Sequence, residues 1–140
     1  MDSYYMAATA FCSWLKQLDY INEENAECLI VKIMELYAAS SSLTYPEIFT
    51  DTETPPTKEM LTLSCATNLY WEIFDPFILD EPVCGNLLDD LFDIYNDVLQ
   101  GIYLYEQGKR DEAIWCWKWN FDNHWRYHAT DVIRALCRIN

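Results

Sequence analysis

Glycine is nearly missing from this chain: Gly85, Gly101 and Gly108 are the only three in 140 residues. Three isolated glycines cannot build a glycine-rich phosphate loop, which removes the common nucleotide cradles. Long apolar runs are missing too; none approaches the roughly 18 residues a membrane span needs. The opening MDSYYMAATAFCSW holds an acid and no base, so it lacks the basic start of a secretory leader. No two of the six cysteines (12, 28, 65, 84, 116 and 137) stand in a Cys-x-x-Cys pair, which removes zinc knuckles and dithiol redox motifs. Reduced, structural thiols are expected, with Cys12, Cys28, Cys65 and Cys116 in mid-helix. These absences together lead us to expect a cytoplasmic protein with no membrane contact and no bound cofactor.

Basic residues are scarce, nine against 23 acids, for a net charge of −14. Nucleic acid is therefore not an expected partner, because phosphate binding needs a basic patch. The distribution says more than the total. Between Lys58 and Lys109 there is no Lys or Arg, while ten acids fall in that interval. From Lys109 onward six bases meet four acids. A basic final segment beside an acidic middle is an internal match, and the surplus acid calls for solvent, a cation or a basic partner.

What the chain has in plenty is apolar and aromatic residues, 51% and 16%, enough for one domain with a real core. Apolar positions three or four apart predict an all-α bundle of about five helices and no strand. The first runs from about Ser3 to Leu18, capped by Asp2 or Ser3. The second follows Asn22, with Glu23 and Glu24 at its positive end, and reaches about Ala39. It is apolar nearly all round, so it is expected to be buried on several sides. An irregular stretch covers about 40–57, with Tyr45, Ile48 and Phe49 available to pin it. The third helix spans about Thr57 to Phe74 and stops before Pro76. The fourth runs from near Asn86 to Gln107, with a stripe through Leu87, Leu91, Ile94, Tyr95, Val98 and Ile102. Gly108 closes it, and the fifth, Arg110 to Asn140, folds back as a tight antiparallel hairpin. The second and fifth helices are expected at the centre.

Three groups are candidate sites. Asp89, Asp90, Asp93 and Asp97 share one side of the fourth helix, and such rows bind divalent cations in some helical enzymes. On a helical wheel they lie at about 160° to 260° from Leu91. That is opposite the core stripe, which makes a solvated face or a partner-binding patch the plainer reading. His124 and His128 stand four apart, a spacing from which both imidazoles reach one metal. Trp125 follows His124 where a metalloprotease has Glu, so that motif is absent, and no metal is assigned. A buried His bonded to a Tyr, an acid or a backbone carbonyl is the commoner case. Trp115 and Trp119 lie off the stripe of Trp117 and Trp125, on the side of Arg126. Exposed Trp beside Arg is the composition of a protein-binding hot spot.

The segments LLDDLFDIYNDVLQGIYLY and EAIWCWKWNFDNHWRYHATDVIRAL resemble the C-terminal half of a family of bacterial all-helical domains of unknown function, the one numbered 5063. An acidic L-x-D-I-Y-x-D helix is matched by Leu91, Asp93, Ile94, Tyr95 and Asp97, and N-F-x-x-x-W by Asn120, Phe121 and Trp125. Val132 to Leu136 match an A-L-R-A-L-like end, while Arg126 stands where that pattern has Gly. The resemblance implies a helical domain and no activity. LYEQGKRDEAI also resembles a tetratricopeptide turn, but one copy makes no solenoid. The leading expectation is a non-enzymatic protein-interaction module, of immunity or regulatory type, with a basic protein partner and an open oligomeric state. The alternative is a metal-dependent hydrolase built from His124, His128 and helix-borne acids, with Glu72, Asp75 or Glu35 completing the site. It requires those side chains to converge, which the wheel argues against.

Overall fold

The computed structural model describes residues 2–47 and 59–139. Among them the chain is mostly helical, with four helices and two short strand pairs. Helix α1 is Asp2–Lys16 and α2 is Glu23–Ser41. Helix α3 is Leu87–Glu106. Helix α4 is continuous but changes pitch: α-helical over Arg110–Asn120, π-helical over Phe121–Trp125, and α-helical again over Arg126–Leu136. Strand β1 (Tyr20–Ile21) pairs in parallel with β2 (Ser64–Cys65), and β3 (Leu69–Glu72) pairs antiparallel with β4 (Val83–Asn86).

The ends of the elements follow local chemistry. Asn22 and Asn25 cap α2 reciprocally, each side-chain oxygen accepting from the other's backbone N–H. Asn86 caps α3 by accepting from Asp89 N at 3.0 Å. At the other end Gly108 takes φ +80°. Its N–H reaches Tyr105 O, and Lys109 N–H reaches Leu104 O, each at 3.0 Å. This pair of bonds reverses the chain at once, so α4 packs back along α3 as expected.

The expectation of five helices and no strand is corrected between 59 and 74. Leu61 and Leu63 are both buried, a period of two rather than 3.6. Ser64 N–H is taken by Asp19 O at 2.9 Å. Glu59 ties down the start of the segment: its carboxylate accepts from Lys16 Nζ, Tyr95 OH and Tyr103 OH, and its N–H donates to Asn96 Oδ1. These partners are distant in sequence, and they outweigh a local helical pattern already weakened by Thr62, Ser64, Thr67 and Asn68. Cys65 thus lies in a strand, and Cys28 is exposed on α2, not buried. The remaining part of the expected irregular stretch, 48–57, lies outside the described residues, as do Ile48 and Phe49. Tyr45 does pin its start, donating to Asp122 Oδ2 on α4.

The centre also differs from expectation. The helix packed on the most neighbours is α3, which touches α1, β4 and all three parts of α4. Helix α2 packs on α1 and α4, but its Val31 and Met34 are half-exposed. The core runs through Leu15, Ile33, Leu91, Ile94, Val98, Trp117, Trp125 and Val132, none more than 1% exposed. Ala113, Trp117, Phe121, Trp125 and Ala129 all lie in it, at a strict spacing of four. In a straight α-helix four such steps drift by about 160°. The wider π turn over Phe121–Trp125 takes up part of that drift and keeps the stripe on the core.

Candidate metal centre

Near the hairpin turn, the α3–α4 contact is dry and tight. Gly101 lies under the Trp117 indole, and a Cβ there would stand 2.0 Å from Nε1. That close approach lets Nε1 donate to Val98 O at 2.9 Å. Leu104 is buried on the same side of α3. Continuing along that side away from the turn, in steps of three and four, gives Asp97, Asp93 and Asp90. The acid row is therefore the α4-facing row of α3. This corrects the expectation of a solvated face: the wheel was centred on the apolar stripe and left out the helix folded back beside it. Asp89 keeps the expected exposure, and Asp93 keeps part of it.

Opposite these acids the π turn and the segment after it carry His124 and His128. His124 Nδ1 lies 2.5 Å from Asp97 Oδ2. His128 Nδ1 lies 3.0 Å from Asp90 Oδ1. An ionised carboxylate only accepts, so each Nδ1 bears the hydrogen and each Nε2 is left facing inward. The two Nε2 atoms are 3.1 Å apart. Asp93 Oδ2 completes a triangle, 3.4 Å from His128 Nε2 and 3.9 Å from His124 Nε2. Two neutral imidazoles so tautomerised would point lone pairs at each other, an arrangement that calls for a shared proton or a cation.

The dimensions fit a cation. Ligands at about 2.0–2.1 Å on a tetrahedral zinc ion stand about 3.3–3.4 Å from one another. The sides of this triangle bracket that value. Among the described residues, Asp93, His124 and His128 are the one such group of three metal-ligating side chains. Their surroundings are graded. The Asp90 and Asp97 side chains are 13% exposed, whereas that of Asp93 is 48% exposed, so the group opens to solvent on the Asp93 side. Burial raises the Asp97 carboxyl above its ordinary value, against the pull of His124. The bond to Asp90 raises His128 against the opposing effect of burial.

A further layer holds Asp90. Tyr70 on β3 donates to its other oxygen, Oδ2. Tyr70 is aimed there because Gly85 on β4 leaves room for its ring: a Cβ at Gly85 would meet Tyr70 Cζ at 2.6 Å. The next carboxyl on α4, Asp131, is pushed up to about 7 by burial and by the Glu72 carboxyl beside it. The sequence pattern does not show Tyr70 and Asp131 as neighbours of the site, because the segment carrying Tyr70 reads as a helix; Glu72, one of the acids expected to complete the site, lies beside Asp131. The hairpin register was a usable signal. With the turn at Gly108, Asp90 falls 18 residues before it and His128 20 residues after it.

The third group, the tryptophans, divides. Trp115 and Trp119 stack at 5.9 Å, with Trp119 43% exposed. Arg126 turns to α2: it donates to Tyr37 OH at 3.1 Å and lies over the Phe121 ring.

A family model described as Domain of unknown function (DUF5063) matches residues 5–140. The chain belongs to that family over essentially its whole length, not only the C-terminal half. Comparisons with curated proteins and with solved structures give no match. No helix among the described residues is long and apolar enough to cross a membrane.

Proposed function

We propose that this member of the DUF5063 family is a metal-dependent protein of hydrolase type, holding one divalent transition cation between His124 Nε2, His128 Nε2 and Asp93. The observation that carries the reading is the inward-facing Nε2 pair, 3.1 Å apart, with each Nδ1 held by its own carboxylate. Carboxylate–histidine pairs of this kind fix the tautomer, aim the ring and raise the basicity of a metal-ligating imidazole. Three protein ligands leave a coordination position open, the pattern of catalytic rather than structural zinc. When bound, such a cation supplies Lewis acidity and brings the pKa of its water down to about 7. The chain's own residues do the rest. Asp97 and Asp90 orient the two imidazoles, Tyr70 orients Asp90, and the half-exposed Asp93 marks the side from which substrate and water enter.

A second reading, a protein-interaction module, is supported by the half-exposed Trp119 on its Trp115 stack. Its expected partner is a basic protein, and it does not compete with metal binding for the same residues. The test of the first reading is thermal melting of untagged protein against added Zn²⁺, Mn²⁺ or Mg²⁺. At a free metal concentration of a hundred times Kd, the folded state gains about 2.7 kcal/mol. The melting temperature should rise accordingly, and His128→Ala should abolish the rise. A flat response to all three ions would remove the reading. A positive response justifies comparing apo and loaded protein on model esters, phosphoesters and amides.

A further inference from the structure

The seam between α3 and α4 does not end at the histidines. Beyond His128 it opens into a cleft of about 270 Å³ bounded by β3. The cleft adjoins the metal centre. Tyr70, which donates to Asp90, lines it, and so does Asp131, one turn after His128 on α4. The charged side chains of the cleft are ordered along α4. Asp131 comes first, with Glu72 of β3 beside it; Arg134 and Arg138 follow, one and two turns further on. Leu69, Leu87, Ala135 and Ile139 supply apolar walls.

Two acids and two bases share this small space without neutralising each other. Among the described residues no ion pair joins either arginine to Glu72 or Asp131. Glu72 Oε2 is buried without a hydrogen-bond donor, a state that buried acceptors rarely keep. An acid end and a basic end suit a ligand with an N–H donor at one end and an anion at the other. A paired guanidinium site favours a carboxylate. At about 1.5 Å per residue, Arg134 and Arg138 stand roughly 4.5 and 10.5 Å along α4 from Asp131. An extended peptide gains roughly 3.5 Å per residue, so two or three residues match that span. The cleft volume, just below the usual small-ligand range of about 300–1,000 Å³, leaves no room for much more. We propose that the cleft binds a di- or tripeptide with both ends free, its ammonium at Glu72 and Asp131 and its carboxylate at Arg134 and Arg138. As the substrate subsite of the metal centre it rests on the metal-dependent reading; the binding itself needs no metal.

The test is calorimetric titration of the untagged full chain, kept metal-free by a chelator, with the peptides Leu-Leu and Leu-Gly-Leu. Each is used free, N-acetylated, and as its C-terminal amide. The expected result is binding of the free forms, weakened about tenfold or more by blocking either end, since each block removes a charged hydrogen bond. The variants then assign the ends by lost preference, which a merely weakened fold would not mimic. Arg134→Gln with Arg138→Gln should bind the free peptide and its amide equally. Glu72→Gln with Asp131→Asn should bind the free peptide and its N-acetyl form equally. The chelator makes this result independent of the metal titration, so the two proposals fail separately. No binding of either free peptide at millimolar concentration, blocked forms that bind as tightly, or variants that keep the wild-type preference would each overturn the inference.

Discussion

Helices α3 and α4 lie side by side for their whole length, yet the two halves of their contact have opposite chemistry. Near the turn the α4-facing side of α3 offers Gly101 and Leu104, and Trp117 closes it with an indole and one hydrogen bond. Away from the turn the same side offers Asp97, Asp93 and Asp90, and α4 answers with His124 and His128. The near half is built as a core: apolar, tight and satisfied. The far half places three carboxylates against two imidazoles, whose inward Nε2 atoms face each other beside Asp93. The difference teaches that one helix pair can carry a stable anchor and a polar site, provided the anchor is rigid enough to hold the site's geometry. The π turn lies at the junction, where Phe121 and Trp125 stay in the core while His124 between them faces the acids.

Breaking the near half has the largest expected effect. Trp117→Ala leaves a hole beside Gly101 and removes the bond to Val98, and should cost roughly 3–5 kcal/mol of stability in chemical denaturation. If the far half leans on this anchor, the metal-dependent rise in melting temperature should shrink in the same variant. A full rise in a destabilised protein would show the halves to be independent.

The next effect is confined to the far half. Asp97→Asn keeps the shape at His124 but removes the charge that holds Nδ1–H. Losing such a partner lowers metal affinity by about 10- to 100-fold. Calorimetric titration with Zn²⁺ checks this, and an affinity equal to wild type would show that Asp97 does not orient the ligand.

The smallest effect is one of pH. Asp131 keeps its proton in the folded state up to about 7, against 3.8 for a free carboxyl. Between those values the folded state binds more protons than the unfolded chain. The contribution of Asp131 to stability therefore falls as pH rises through that window and levels off above it. Asp131→Asn should remove the slope, so the variant should gain on wild type from pH 4 to 7. Melting curves across that range test it; parallel curves would mean that the folded state does not hold the proton on Asp131.

Much of the fold was legible because its signals are local. The α2 cap at Asn22, the Gly108 reversal and the stripes of α3 and α4 are all readable within a few residues. The segment from 59 to 74 was not, because Glu59 is held by Lys16, Tyr95 and Tyr103, and Ser64 by Asp19, all far away in the chain. Both histidines and all three acids of the centre were candidates from the sequence, but as separate groups. The wheel centred on Leu91 set the acids opposite the core without counting what the hairpin places there. The strict four-residue spacing from Ala113 to Ala129 signalled a change of helical pitch, and only the packed structure gave it a meaning.

The most direct test of the metal centre is the ¹⁵N spectrum of protein labelled at histidine, recorded before and after one equivalent of Zn²⁺. The account predicts that the Nε2 signals of His124 and His128 move together to positions typical of metal-bound nitrogen, while both Nδ1 atoms stay protonated. Unchanged Nε2 signals, or zinc at Nδ1, would contradict it.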